Sequence, residues 1–345
     1  VSFIFDILRS HTMHKSIRLV LVISLLVPFC RVAAAASHPS FCNQCVRADE
    51  NFLASDSLHG RGSATRDEHI AATWAASLFE SFGLEPAGDN GSFIQKAPLP
   101  DPLPDRLKQR LAKYEDTPRT ETWNAVAVLR GSDSKTQQDA ILLTAHLDHL
   151  GIGPAVNGDT IYNGADDDAS GTTAVIELAR VLSQGKRPKR TIIFALFGSE
   201  EIGGFGNRYF IDHPPVPLDH IVTNLEFEMI GRPDPAVPAG DFWLTGWERS
   251  NLGPTLAGHG AHLAGDPHPK EQFFRRSDNY ALAKKGIIAQ TVSSFNLHKD
   301  YHQPSDEIDK LDIPYMTTVI SSMVKPITWL ANTDWKPTWN PNGKP

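Results

Sequence analysis

The chain has 345 residues, 41% of them hydrophobic and 21% charged, with 25 Gly and 25 Pro. That mixture excludes a collagen, a coiled coil and a wholly disordered chain, and the length is enough to bury a large core. Net charge is −7, and beyond residue 36 there are 29 basic against 39 acidic residues, a net −10, which argues against a nucleic-acid partner.

In chain order, residues 1–36 read as an address. Translation starting at Met13 gives a basic stretch (His14, Lys15, Arg18), an apolar run from Leu19 to Val27, and an A-x-A pattern within Ala33 to Ala36. The apolar run is shorter than the ~20 residues a membrane span needs. Phe29 is too bulky for lipoprotein processing at Cys30. The expectation is a signal peptide cleaved after Ala36 and a secreted or periplasmic protein with no stable membrane association. Residues 37–60 read as a polar N-terminal extension carrying Cys42 and Cys45, a spacing that suits a small disulfide loop in an oxidising compartment. A redox C-x-x-C would follow a strand, and a zinc ribbon would need a second cysteine pair.

Thr65-x-x-Glu68 forms a capping box, and Ile70, Trp74, Leu78 and Phe82 repeat every four residues up to Gly83, which predicts one helix. Residues 97–120 hold Pro98, Pro100, Pro102 and Pro104 and then a charged run, and read as a surface insertion or lid without a core strand. From Asn124 the texture changes. Strands are predicted over 125–129, 140–145, 191–197, 221–227, 242–245 and 287–292, and helices over 169–182, 251–264, 278–285 and 313–332. Runs such as Ile192-Ile193-Phe194-Ala195-Leu196 do not alternate, so their strands are covered on both faces. The predicted fold is a three-layer α/β/α sandwich around a mixed, mostly parallel sheet. It occupies 61–335 as one domain, with a short tail over 336–345.

Ligands of open α/β sheets gather where strands end. The strand over 140–145 runs into His146-Leu147-Asp148-His149, the strand over 191–197 into Ser199-Glu200-Glu201, and the strand over 221–227 into Glu228. Asp166, Asp167 and Asp168 stand at the mouth of a helix, and Tyr301-His302 comes late in the chain. Singly, each has an ordinary reading as a cap, a core histidine or a solvated loop. Together, two imidazoles and several carboxylates at one sheet edge would repel unless cations lay between them. With no cysteine available, that donor set suits zinc or a similar divalent ion, and its size favours two ions sharing one carboxylate.

The segments His146-Leu147-Asp148, Gly164 to Gly171, Ser199-Glu200-Glu201, Glu228-Met229-Ile230-Gly231 and Tyr301 to Asp306 resemble the two-zinc exopeptidases of clan MH. That family includes the bacterial leucyl-type aminopeptidases, with glutamate carboxypeptidase and glutaminyl cyclase as more distant relatives. The resemblance implies two zinc ions. His146 and Glu228 would bind the first, Glu201 and His302 the second, and Asp167 would bridge them. Asp148 would orient the His146 ring, while Asp166 and Asp168 would cap or support. Glu200 would be the general base, and Tyr301 a donor to the oxyanion. Glu228 stands where the family more often has Asp, and Glu226 is a competing candidate. The segment from Arg275 to Tyr280 resembles the family's substrate pocket, which points to Arg276, Asp278 and Asn279. His149 and His298 read as structural or supporting groups. The implied partner is a peptide with a free N-terminus. Glutaminyl cyclase, carboxypeptidase and a non-catalytic binding protein are the alternatives, and spacing alone leaves them open.

Overall fold

The computed structural model describes residues 41–114 and 117–345, so the expected signal segment over 1–36 lies outside the described residues. In chain order the strands are β1 (Glu85–Pro86), β2 (Ile94–Pro98), β3 (Glu121–Leu129), β4 (Ala140–His146), β5 (Gly151–Val156), β6 (Asp159–Tyr162), β7 (Thr191–Phe197), β8 (Ile221–Phe227), β9 (Phe242–Leu244), β10 (Leu263–Gly265) and β11 (Ala289–Ser293). The helices are α1 (Asn43–Leu53), α2 (Arg66–Ser81), α3 (Asp105–Leu111), α4 (Gly171–Ser183), α5 (Phe205–Asp212), α6 (Leu252–Gly258), α7 (Asn279–Lys284), α8 (Ile313–Ser322) and α9 (Val324–Asn332).

Nine strands form one sheet in the order β1-β3-β7-β4-β8-β11-β9-β10, with β2 added beside β3. The central run β7-β4-β8-β11 is parallel, and antiparallel pairs join β3 to β7 and β9 to β11. Period-two alternation divides each central strand between two cores. Ile141, Leu143 and Ala145 of β4 face α1, α2, α4, α8 and α9, whereas Ala140 and Leu142 face α5 and α7. The mixed three-layer sandwich is therefore as predicted. The parallel centre sends β4, β7 and β8 in one direction, so their C-terminal ends share one edge.

Several local expectations are corrected. Residues 43–53, read as a polar extension, form α1, whose Val46 and Leu53 are fully buried in the larger core. Cys42 and Cys45 are disulfide-bonded at the start of that helix. In α2 the face turned to the core is Ala71, Ala72, Ala75 and Phe79, which let the helix approach the sheet closely, while Ile70, Trp74, Leu78 and Phe82 are half-buried at its flank. Thr65 caps α2, but Glu68 does not complete a capping box: its buried carboxylate accepts from Thr122 and from the Ser199 N–H. The long helix over 313–332 is two helices. Pro326 cannot donate to the preceding turn, and the chain breaks at Met323. The helix over 251–264 stops at Gly258, and 263–265 add an edge strand. The 97–120 segment is not purely surface, because Leu99 and Leu107 bury against Ala64 and Ile202. The tail over 336–345 pairs back onto the domain through Ser250 and Trp339. No helix among the described residues is long and apolar enough to cross a membrane.

Candidate metal centre

The predicted ligands converge at that common strand edge. His146 is the last residue of β4, Glu201 lies in the turn after β7, and Glu228 follows β8. Asp167 lies in the turn before α4, and His302 in the loop before α8. The two Asp167 oxygens face opposite ways. Oδ1 is 3.3 Å from His146 Nε2, which is itself 3.9 Å from Glu228 Oε1. Oδ2 is 3.2 Å from His302 Nε2, and that nitrogen is 3.0 Å from Glu201 Oε1. Two groups of donor atoms thus share one carboxylate.

The residues fit a pair of cations. His146 Nε2 and Glu201 Oε1 are buried and have no hydrogen-bond partner, although each has an opposing donor or acceptor within about 3–4 Å. Such atoms aim at shared space rather than at one another. Gly164, at φ +60°, leaves the room that the Asp167 turn needs: a Cβ there would come within 2.2 Å of the Asp167 carbonyl oxygen.

The electrostatics point the same way. Burial and the neighbouring Glu226 push the Glu228 carboxyl up to about 8. Burial disfavours a charged His302, yet Glu201 and Asp167 outweigh it and hold the ring at about 10. Burial also raises Glu200 well above the ordinary carboxylate range, with Asp278, Glu201 and Glu228 adding to the rise against the pull of His146. Protons take up the excess negative charge here, and a cation of suitable softness would compete for the same positions.

The surrounding shell is largely made of aspartates. The Asp148 carboxylate stands 3.8 Å from His146 Nδ1, beside the ring that the resemblance implied it would orient, but it is not the nearest acceptor. The main-chain carbonyl of Asp148 accepts from His146 Nδ1 at 3.0 Å, which leaves Nε2 free to ligate. The carboxylate of Asp148 instead accepts from the N–H groups of Glu200 (2.9 Å) and Glu201 (3.2 Å) and from Ser63. Asp168 accepts from the N–H groups of His146, Gly171 and Met229, so it both caps α4 and joins three ligand-bearing segments. Asp166 accepts from the Gly231 N–H and pairs with His298, which is a supporting residue as expected. Glu226 is excluded as a ligand, because Ser277, the Asn279 N–H and Thr291 occupy its carboxylate.

One residue was read only as supporting, and three more had no sequence signal. His149 is fully buried with its Nδ1 3.1 Å from Glu201 Oε1. Arg61, also fully buried, donates to the carbonyls of Leu53, Leu147, Asn163 and Gly164, and so ties α1 to two ligand loops. Arg232 binds Asp300 at 2.8 Å and Asp306 at 2.9 Å. Asp306 in turn accepts from the N–H groups of Asp166 and Asp167. The loop carrying His302, the turn carrying Asp167 and the segment after Glu228 therefore meet at one guanidinium. Arg110 on α3 reaches the outer oxygen of Glu201 at 3.1 Å, which brings the 97–120 segment to the centre. Only Arg232 and His149 adjoin a recognisable motif.

Beside Glu228 lies a small cavity walled by Met229, Trp243, Phe273, Phe295 and Tyr301 with Arg276 among its lining. The Tyr301 ring stacks on His302 with centroids 3.8 Å apart. Of the three residues expected to line a substrate pocket, only Arg276 does so. Asp278 is buried and bound by Asn207, and Asn279 donates to Glu226 and to main-chain carbonyls.

A three-layer sandwich with imidazole–carboxylate groups paired across a shared aspartate defines a zinc-exopeptidase-like protein. Residues 124–325 match the model of Peptidase family M28, and the chain belongs to that family. Its fold is similar to an aminopeptidase from Aneurinibacillus sp. strain AM-1, with TM-score 0.61 and 16% identity over 87% of this chain and 96% of that one. A glutaminyl cyclase from Porphyromonas gingivalis gives TM-score 0.60 and 18% identity over 84% of this chain and 99% of that one. Among curated sequences, a probable zinc metalloprotease of Pyrenophora teres f. teres is 29% identical over 168 residues, 48% of this chain and 30% of its own length. The chain matches less than a third of the length of the first such relatives.

Proposed function

We propose that this chain is an exported two-zinc aminopeptidase that removes N-terminal residues from peptides. The observation that carries the reading is the opposed pair of Asp167 oxygens, each facing its own group of imidazole and carboxylate donors. His146, Asp167 and Glu228 would hold one ion, and Asp167, Glu201 and His302 the other. Zinc bound there supplies Lewis acidity, which brings the pKa of water towards neutrality and polarises a carbonyl.

The chain's own groups do the rest. Glu200, raised in pKa and fixed through its N–H to Asp148, takes the proton of the attacking water and passes it to the departing amine. Burial and the nearby Asp167, Glu201 and Glu228 keep the Tyr301 hydroxyl protonated, so it can donate to the developing oxyanion. The aromatic-walled cavity beside Glu228 receives the side chain of the first residue.

The test is metal analysis of purified protein alongside a panel of aminoacyl-anilides, N-terminal Gln peptides and N-blocked peptides. About two zinc ions per chain and hydrolysis confined to free-amine substrates are expected. Cyclisation of Gln peptides without anilide hydrolysis would replace the reading with a glutaminyl cyclase, and turnover of N-blocked peptides would replace it with a carboxypeptidase. N-terminal sequencing of exported protein should begin at Ser37.

A further inference from the structure

We propose that His149 is a direct ligand of the second ion, which makes the two cation positions unequal. The inference rests on the two-ion reading above and extends it to a residue that the resemblance leaves outside the ligand set.

His149 is fully buried, and neither of its ring nitrogens has a hydrogen-bond partner, an arrangement that costs stability unless something else engages the ring. Nδ1 lies 3.1 Å from Glu201 Oε1, which is also unpartnered, and 3.7 Å from Asp167 Oδ2. The nitrogen and the oxygen are close but not aligned on each other, so both face a common point. His146 Nε2 has the same signature against Asp167 on the other side. The ring is locked in place: a Cβ on Gly164 would stand 2.5 Å from His149 Cγ, so only glycine lets the Asp167 turn pass over it. Hydrogen bonding also fixes the backbone, since the His149 N–H donates to the Arg61 carbonyl and its own carbonyl accepts from the Ser63 N–H.

Donor count then separates the positions. The second has His149, Asp167, Glu201 and His302, whereas the first has His146, Asp167 and Glu228. Zinc sites with four protein ligands are closed, and those with three keep a position for water or substrate. The first position, which shares Glu228 with the aromatic cavity, is therefore the open one, and the second is the tighter.

X-ray absorption at the zinc edge counts imidazoles directly. The wild-type protein is expected to show three imidazole nitrogens for every two zinc ions, and His149→Ala two. In chelator competition, His149→Ala should weaken the tighter zinc more than about 100-fold, beyond the usual effect of an outer-shell partner, and leave the weaker zinc unchanged. His302→Ala should retain both ions, with the tighter one weakened. Two imidazoles per two ions in the wild type would overturn the proposal, whatever the variants do. So would unchanged zinc affinity in a folded His149→Ala or His149→Asn protein. Fewer than two ions in the wild type would instead overturn the two-ion reading.

Discussion

The inner and outer halves of the metal centre are built differently. His146, His149, Asp167 and Glu201 are almost fully buried at strand ends and in a tight turn, and aspartates accept from the main chain on every side of them. Glu228, His302 and Tyr301 are partly exposed; Glu228 and Tyr301 line the cavity, and the Tyr301 ring packs between Phe295 and His302. The difference teaches a division of labour: the inner half fixes charge and geometry, and the outer half meets what enters. Glu200 stands where the two halves join.

The largest effect should come at that junction. Glu200→Gln keeps the shape but cannot take a proton, so kcat should fall by about 1,000-fold or more while zinc content, read by metal analysis, stays the same. Near-normal turnover would remove Glu200 from the mechanism. Next comes the brace between the halves. Arg232→Met leaves the buried Asp300 and Asp306 carboxylates without their cation, which should cost about 3–5 kcal/mol in denaturant unfolding. Arg232→Lys, with one point charge for two carboxylates, should recover part of that loss. An unchanged Arg232→Met would mean that the halves are not joined there.

Within the outer half, Tyr301→Phe retains the stack on His302 and deletes the donor. A fall in kcat of about 100-fold with KM nearly constant is expected, and an unaltered kcat would make Tyr301 a packing residue. The smallest effect lies outside both halves, in α1. Burial, with Glu177 adding to it, raises Asp49 from 3.8 to about 7. The folded state therefore holds a proton that the unfolded state releases, and stability declines as pH rises between those values. Asp49→Asn should flatten that part of the pH–stability curve and leave activity alone.

Most of the candidate centre was legible because the residues proposed as its ligands sit in short strings, several of them at strand ends, where a run of apolar residues stops and imidazoles or carboxylates begin. His149 was present in such a string but was read as supporting, since only coordinates show that both ring nitrogens lack partners. Arg61 and Arg232 were illegible for a different reason. They act on carbonyls and carboxylates up to about a hundred residues away, and no local period or spacing records such a partner. The helix α1 escaped because its eleven residues are mostly polar, and only Val46, Glu50 and Leu53 are fully buried. The same holds for α2, where small alanines rather than the large apolar stripe meet the sheet.

The loop from His298 to Asp306 has a consequence for the order in which the molecule matures. It contributes His302 and, through Asp306, the two acceptor contacts that hold the turn bearing Asp167. Synthesis delivers the N-terminal parts of a chain first. A nascent chain that ends before this loop has its sheet largely written but neither the last imidazole nor the prop beneath the shared aspartate. Metal loading would thus come late, open only to a polypeptide in which this loop has already been made and docked.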